Sequence, residues 1–228
     1  MNATRLLDTQ GFEVFDKVFG VEEIRSLQTY FDRINAPDGK NLFAIRNLFG
    51  NHPDLLPLVF TEGFTRFKNS IAPEYSLIKG VYFDKPEGSN WFVAWHQDIT
   101  ISVTDKNTTE GFINWLPKEY GYSVQPQLEY LENIVTLRIH LDETNENNGA
   151  LRVIPNSHSK GVVRLEEVNT EEAITCNVSS GGVMAMKPLL MHSSRRITEG
   201  SRRRVLHLEF SNKNLPHGLH WAENIDWQ

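Results

Sequence analysis

The sequence predicts a mainly β protein, a sandwich or barrel of short strands that follows a helical N-terminal third. Three observations predict this fold. Short alternating strands are separated by turn-like residues, the first third has helical periodicity, and the gaps between strands leave little room for βαβ crossovers. A chain of 228 residues is long enough to bury a substantial core and suits one domain.

Two helices are predicted before residue 75. In residues 21–34 the apolar side chains recur at helical spacing, and they are Val21, Ile24, Leu27, Tyr30, Phe31 and Ile34. A second helix is predicted over residues 53–69, with an apolar stripe of Leu55, Leu58, Phe64 and Phe67. We expect this region to support the strands that follow.

Strands are predicted over residues 76–83, 90–94, 134–141, 151–154, 182–186 and 203–210. Residues 134–142 alternate cleanly, so Val135, Leu137 and Ile139 share one face while Arg138 and His140 lie on the other. If that second face looks into the barrel, Arg138 and His140 can line the cosubstrate or substrate pocket. The alternative is a pair of polar residues that are satisfied within the core.

Composition and charge exclude several classes of function. The formal net charge of −6 argues against a nucleic-acid or anionic-membrane binder. The sequence has no apolar run that approaches a membrane span and no apolar stretch of a signal peptide. The single cysteine, Cys176, cannot form an intramolecular disulfide and is expected to be an inert thiol. These features indicate a cytoplasmic protein.

The segment Trp95-His96-Gln97-Asp98 carries the main chemical signal. On a strand, His96 and Asp98 point to the same face and can reach one metal ion. The pair alone is weak evidence because this spacing arises by chance. His192, which follows the apolar run 182–191, can supply a third ligand from a distant strand. Two histidines and one carboxylate form the facial triad that is typical of non-haem Fe(II) oxygenases, so these three are the predicted catalytic metal ligands.

Arg203 begins the last predicted strand. A guanidinium at the mouth of a barrel can hold a carboxylate through two parallel hydrogen bonds, and the Ser194 hydroxyl can assist. The alternative is a solvated basic run, to which we assign the flanking Arg202 and Arg204.

Other polar and aromatic residues near the core receive structural assignments. Lys79 and Lys85 flank the first core strand and are expected at the surface, with contact to a carboxylate as the alternative for either one. His207 is expected to pack within its strand. Trp91 and Trp95 are expected to wall the metal site.

Four motifs together resemble the phytanoyl-CoA dioxygenase family. They are NW-x-x-x-WHQD at 90–98, NGALRVIPNSH at 148–158, MHSS at 191–194 and RRVLHLEF at 203–210. The resemblance runs from about residue 76 to residue 210. It implies a double-stranded β-helix, that is, a jelly-roll or cupin-like core, with flanking N-terminal α-helices.

The resemblance also implies the chemistry. The expected cofactors are Fe(2+), bound by His96, Asp98 and His192, with 2-oxoglutarate as cosubstrate and O2. Arg203, assisted by Ser194, is expected to bind the distal carboxylate of 2-oxoglutarate. The implied reaction hydroxylates an unactivated C–H bond of a small-molecule substrate and releases succinate and CO2. Related halogenases lack the carboxylate of the His-x-Asp pair, so its presence here favours hydroxylation.

We therefore expect one domain over residues 1–228, with helical support at 1–75, the jelly-roll core at 76–210 and a tail at 211–228. The insertion 104–133 is polar and aromatic, which favours a lid over a disordered loop. Phe112, Trp115 and Tyr122 are its expected substrate contacts. The alternative is a surface excursion that packs on the N-terminal helices.

Two other functions stay open at this point. One is a cupin-like metalloenzyme that does not use 2-oxoglutarate, because jelly-roll barrels host many activities. The other is a non-catalytic binding or sensor module on the same fold, for which a degenerate triad would be expected.

Overall fold

The computed structural model describes residues 5–35, 43–86, 92–196 and 202–225. Asn90 and Trp91, at the start of a predicted strand, lie outside these residues. The N-terminal elements are α1 (Arg5–Gln10), β1 (Phe12–Phe15), α2 (Val21–Asn35), β2 (Ala44–Ile45), α3 (Leu48–Asn51), a 3₁₀ turn (Pro53–Leu55), α4 (Leu56–Val59) and α5 (Glu62–Ile71).

The elements of the core follow. They are β3 (Ser76–Lys85), β4 (Val93–His96), β5 (Ile101–Val103), β6 (Ile113–Lys118), β7 (Gly121–Gln125), α6 (Leu128–Glu132), β8 (Val135–His140), β9 (Leu151–Val153), β10 (Ile174–Cys176), β11 (Val183–Met186), β12 (His192–Ser194) and β13 (Arg203–Ser211). Three 3₁₀ turns, at Ser157–Lys160, Leu165–Glu167 and Thr170–Glu172, lie between β9 and β10.

The first predicted helix is confirmed, whereas the second is divided. Helix α2 buries Leu27 and Phe31, and the Phe31 ring stacks on Tyr82 of β3 at 3.8 Å. The prediction of one helix over 53–69 is wrong, because α4 ends before Thr61 and α5 begins after it. The Thr61 hydroxyl accepts a hydrogen bond from the backbone N–H of Phe64 at 3.3 Å, so it caps a new helix.

The strands form three antiparallel sheets. One sheet has six strands in the order β1-β11-β8-β13-β3-β2, and a second has four in the order β10-β9-β12-β4. A third sheet consists of β5-β7-β6. Side chains of the first two sheets contact each other, since Arg203 of β13 reaches Ser194 of β12. These two sheets therefore enclose the interior in which the polar motif residues lie.

The predicted alternation of β8 decides which residues face that interior. Val135, Leu137 and Ile139 are buried in the main hydrophobic cluster, which also contains residues of α2 and α5. The helices thus cover the outer face of the six-stranded sheet. Arg138 and His140 project from the opposite face and are buried between the sheets.

The segment predicted as a lid is ordered and has regular structure. It contains the β6–β7 hairpin and α6, and β7 pairs with β5. Apolar side chains of this segment, including Phe112 and Val124, share a second hydrophobic cluster with Trp221 of the C-terminal segment. Among the described residues, no helix is both long enough and apolar enough to cross a membrane.

Candidate metal centre

Two neighbouring strands of the four-stranded sheet bring the predicted triad together. β4 ends at His96 and β12 begins at His192, and these two residues are paired across the sheet. Asp98 lies just beyond the end of β4, where its backbone N–H donates to the Pro188 carbonyl at 2.9 Å. Its two carboxylate oxygens each lie 3.8 Å from Nε2 of one histidine. One ligand atom from each residue falls within 4.8 Å of the others, which is a spacing that can hold one metal ion.

Backbone carbonyls fix the orientation of both imidazoles. Nδ1 of His96 donates to the carbonyl of Ala94 at 2.8 Å, and Nδ1 of His192 donates to the carbonyl of Leu190 at the same distance. Because a carbonyl can only accept, each ring carries its proton on Nδ1. Nε2 is therefore left with a lone pair that points toward Asp98, as a metal ligand requires.

The electrostatic environment favours the ligand forms of these groups. Burial raises the pKa of Asp98, but in the acidic range where this carboxyl titrates, protonated His192 and His207 together with Lys79 outweigh burial and hold the pKa at about 2. Burial lowers the pKa of His192 to about 4, even though Asp98 opposes that shift. Asp98 is therefore an anion and His192 a neutral imidazole at neutral pH, which are the protonation states that bind divalent metals.

Gln97, between two triad residues, points away from them and anchors the surrounding loops. Its Nε2 donates to the carbonyls of Leu189 at 2.5 Å and Gly161 at 2.8 Å, while its Oε1 accepts from the N–H of Val163 at 2.9 Å. No role was predicted for Gln97 from the sequence. Its position between two ligands on a strand was the available signal, because such a residue must face the other way.

Arg203 and Ser194 meet in the interior. Arg203 is buried, and its Nη1 donates to the Gly149 carbonyl and lies 3.4 Å from the Ser194 hydroxyl oxygen. Its Nε has no hydrogen-bond partner among the described residues, and no described carboxylate forms an ion pair with it. Burial, together with the charge of Arg138, lowers the Arg203 pKa to about 9. A buried cation without an acidic partner is a place where an anion is stabilised.

The sequence comparison adds the family. The model of the phytanoyl-CoA dioxygenase family matches residues 7–205. The chain belongs to this family. Phytanoyl-CoA dioxygenase family enzymes depend on non-haem iron and 2-oxoglutarate, with O2 as the usual cosubstrate, and this family member is an enzyme of that class. No protein with a curated description matches the sequence.

Several solved structures are similar to this phytanoyl-CoA dioxygenase family member. EvdO2 from Micromonospora carbonacea var. aurantiaca, complexed with 2-oxoglutarate, is 18% identical with a TM-score of 0.65, covering 90% of this chain and 87% of that chain. HygX from Streptomyces hygroscopicus with iron bound is 16% identical with a TM-score of 0.64, covering 90% and 84%. SnoK, described as a non-haem α-ketoglutarate-dependent carbocyclase from nogalamycin biosynthesis, is 14% identical with a TM-score of 0.66, covering 92% and 83%. These likenesses confirm the mainly β, jelly-roll fold class.

A charged network lies on the inner face of the six-stranded sheet of this family member. Arg138 Nη1 donates to Nδ1 of His207 at 2.8 Å, so the proton of His207 lies on Nε2, which donates to Glu209 at 3.1 Å. Glu209 also accepts from the Lys79 ammonium at 2.6 Å. His140 donates through Nδ1 to the Thr144 hydroxyl, and its buried Nε2 has no partner among the described residues. Arg138 and His140 thus face the interior, and their contact with cosubstrate or substrate stays a prediction.

The expected surface position is wrong for Lys85 and holds only in part for Lys79. Lys85 is fully buried, and its ammonium donates to the Arg195 carbonyl at 2.8 Å. Burial lowers the pKa of Lys85 to about 8, and Arg203 contributes to that shift. Lys79 is half-buried, and its ammonium forms an ion pair with the buried Glu209 at 2.6 Å. In each case, alternation identified the strand face but not the fact that the face looks inward.

Arg202 and Arg204 do not form a solvated basic run. Arg204 is buried and its guanidinium donates to both oxygens of Asp142, at 2.9 and 2.8 Å. Arg202 donates to Asp84, with a shortest distance of 2.6 Å, and both arginines donate to Asp32 of α2. These ion pairs lie on the outer face of the six-stranded sheet, opposite Arg203, and connect it to α2.

The three aromatic residues predicted as substrate contacts lie in the second hydrophobic cluster. Phe112 is buried against Tyr130 with ring centroids 5.4 Å apart. Trp115 packs edge-on against Tyr122 and donates from its indole N–H to the carbonyl of Phe112 at 3.0 Å. Their role in substrate binding stays a prediction. The Arg152 guanidinium carbon lies over the Trp95 ring, 5.4 Å from the ring centroid.

Proposed function

We propose that this protein is an Fe(II)- and 2-oxoglutarate-dependent dioxygenase in which His96, Asp98 and His192 bind the iron. The observation that carries this proposal is the convergence of two imidazole Nε2 atoms and one carboxylate, with both Nδ1 atoms occupied by backbone carbonyls. Three ligands on one side leave positions open for O2 and an organic cosubstrate. The donor set of two nitrogens and one carboxylate fits Fe(II).

We propose that the distal carboxylate of 2-oxoglutarate pairs with Arg203 and that Ser194 contributes a hydroxyl. The support is the buried guanidinium that has no acidic partner among the described residues. A carboxylate would neutralise that charge and accept from the free Nε–H. Lys85 adds a second buried cation near Arg203, which makes this end of the interior strongly suited to an anion.

The proposed reaction hydroxylates an unactivated C–H bond of a small molecule. One oxygen atom of O2 enters the succinate formed from 2-oxoglutarate with loss of CO2, and the other enters the hydroxyl group of the product. The bound metal supplies the activation of O2. The chain keeps Asp98 as an anion and orients both imidazoles. Arg203 and Ser194 bind the cosubstrate, and the enclosed site excludes water.

Which oxidation the enzyme performs is proposed separately from its cofactors. SnoK is described as a carbocyclase, so a chain of this fold can use the same cosubstrate for a reaction other than hydroxylation. Asp98 occupies the ligand position, which argues against a halide at that position. We propose hydroxylation of a small molecule and a cytoplasmic location, the latter because a single cysteine cannot form an intramolecular disulfide.

The test measures metal binding and turnover separately. Metal-free protein is titrated with Fe(II) under anaerobic conditions, and succinate release from 2-oxoglutarate is then followed in air with ascorbate. We expect one iron per chain and succinate release that depends on both Fe(II) and 2-oxoglutarate. Asp98→Ala should lose both properties, whereas Asp105→Ala, an exposed carboxylate nearby in sequence, should lose neither. Iron binding without any use of 2-oxoglutarate would favour the cupin-like alternative.

A further inference from the structure

A cavity of about 500 Å³ opens between β3, the β6–β7 hairpin and the C-terminal segment. The hairpin has two different faces. Trp115 and Tyr122 point into the second hydrophobic cluster, whereas Lys118, Tyr120 and Ser123 line the cavity. The predicted lid therefore presents a polar surface to this space, and its three predicted aromatic contacts do not line it.

The cavity is connected to the metal centre by the chain that leaves Asp98 and by the inner face of β3. Lys79, whose ammonium donates to Glu209 at 2.6 Å on that face, lines the cavity. Thr100, which lies two residues after Asp98, lines the same space. A molecule bound here would therefore contact the segment that follows Asp98 directly in the chain.

The lining is polar and compact. Its hydroxyl and amide groups come from Asn47, Thr100, Ser102 and Ser123, and its aliphatic side chains from Ile78, Val81 and Ala222. The charged residues of the lining are Arg46, Lys79, Lys118, Glu119 and Glu223. A long acyl chain needs continuous apolar walls to recover the free energy of leaving water, and this cavity does not offer them. Polar side chains of this kind instead satisfy the hydrogen bonds of a small hydroxylated molecule.

Glu223 is the unusual group in the cavity wall. The residue is only 5% exposed, and its Oε2 has no hydrogen-bond partner among the described residues. Burial raises its pKa to about 7, against the opposing effect of the backbone amides of Gly80, Phe49 and Leu48. A buried carboxyl oxygen without a partner costs free energy, which a hydrogen-bond donor of a ligand can recover.

We infer that this cavity is the substrate pocket and that it takes a compact molecule bearing hydroxyl or amine groups, with Glu223 accepting one of its hydrogen bonds. The inference rests on the proposed function. It excludes long-chain acyl substrates and makes Glu223 a specificity-determining residue. Lys79, fixed by Glu209, bounds the pocket on the side of the metal centre.

The experiment screens two sets of probes by saturation-transfer NMR. One set contains monosaccharides, amino sugars and amino alcohols, and the other contains straight-chain fatty acids. Each set is tested on the full chain, both metal-free and with Fe(II) and 2-oxoglutarate under anaerobic conditions. We expect binders in the polar set only.

Variants then locate the binding site. Glu223→Gln keeps the size of the side chain and should weaken the best polar binder about tenfold or more. Ser123→Phe fills the cavity from the hairpin and should abolish binding. Glu132→Gln, an exposed carboxyl on α6, serves as the matched control and should bind as the wild type does.

Three results would overturn the inference: no binder in the polar set, binders only among the fatty acids, or unchanged affinity in both Glu223→Gln and Ser123→Phe. Because binding is also read without metal, a protein that binds polar probes but neither iron nor 2-oxoglutarate would contradict the proposed function and leave the pocket assignment intact. A protein that releases succinate but binds no polar probe would contradict the pocket assignment and leave the proposed function intact.

Discussion

Arg203 and Arg204 are adjacent on β13 but face opposite sides of the sheet, so their alanine variants should fail in different ways. Arg203→Ala removes the proposed partner of the cosubstrate carboxylate. Losing a buried, charge-assisted pair costs about 2–5 kcal/mol, which corresponds to an increase in the 2-oxoglutarate requirement of about 30-fold to about 5,000-fold. Because Arg203 has no acidic partner among the described residues, its removal should change the free energy of unfolding little.

Arg204→Ala should destabilise the fold instead. It removes two hydrogen bonds to Asp142, at 2.9 and 2.8 Å, and one to Asp32 at 3.0 Å. Asp142 is only 17% exposed and would keep its charge with two donors, the backbone N–H of residue 204 and the side-chain amide of Gln28. We expect a loss of about 2–4 kcal/mol in the free energy of unfolding.

Urea denaturation followed by circular dichroism measures the free energy of unfolding of each variant. Succinate release at varied 2-oxoglutarate concentration measures the 2-oxoglutarate requirement. Iron titration of Arg203→Ala serves as the control, since its triad is intact. A larger increase in the 2-oxoglutarate requirement for Arg204→Ala than for Arg203→Ala would refute the assignment of faces on β13.

Three further predictions concern the centre, the cavity and the hairpin. Alanine at His96, Asp98 or His192 should abolish turnover with the fold intact, and near-normal activity with stoichiometric iron in any of the three would contradict the ligand assignment. Glu223→Gln should raise the free energy of unfolding at pH 8 by up to about 3 kcal/mol but change it little below pH 4.5. The pKa of Glu223 in the folded protein, about 7, exceeds the ordinary 4.5, so the wild-type protein loses stability as the pH rises from 4.5 through 7. Urea denaturation curves with the same pH dependence for the two proteins would contradict this. Trp115→Ala should loosen the hairpin and increase the decay of 2-oxoglutarate that is uncoupled from product, and unchanged coupling together with no substrate-induced protection in hydrogen exchange would remove the lid hypothesis.

The sequence predicts the triad and the alternation of β8 because both depend on local spacing. His-x-Asp fixes two ligands, and the apolar run before His192 identifies the third. Many short strands, including β1 and β12, were missed because three or four residues carry too little periodicity. The predicted helix over 53–69 failed for a related reason: the apolar stripe continues through a cap at Thr61, and only the hydrogen bond to Phe64 reveals the break.

Buried charge was the main difficulty for the sequence analysis. Lys85 and Arg204 look like surface residues in a polar context, and only the pairing of β13 with β3 and β8 shows that both are enclosed. Their surroundings are set by residues more than 60 positions away, such as Asp142 for Arg204. Alternation tells which residues share a face, but the layer covering that face is a property of the tertiary fold. The same limit applies to the hairpin, whose aromatic composition predicted order but not the direction of its aromatic face.

The carbonyls that hold the two triad imidazoles belong to the main chain at positions 94 and 190. Every amino acid brings the same carbonyl, so substitutions at Ala94 and Leu190 that preserve the strand ends should leave the ring tautomers unchanged. The orientation of the two rings is thereby independent of the side chains at positions 94 and 190. These two positions can change under other pressures, such as substrate choice, without altering the imidazole tautomers.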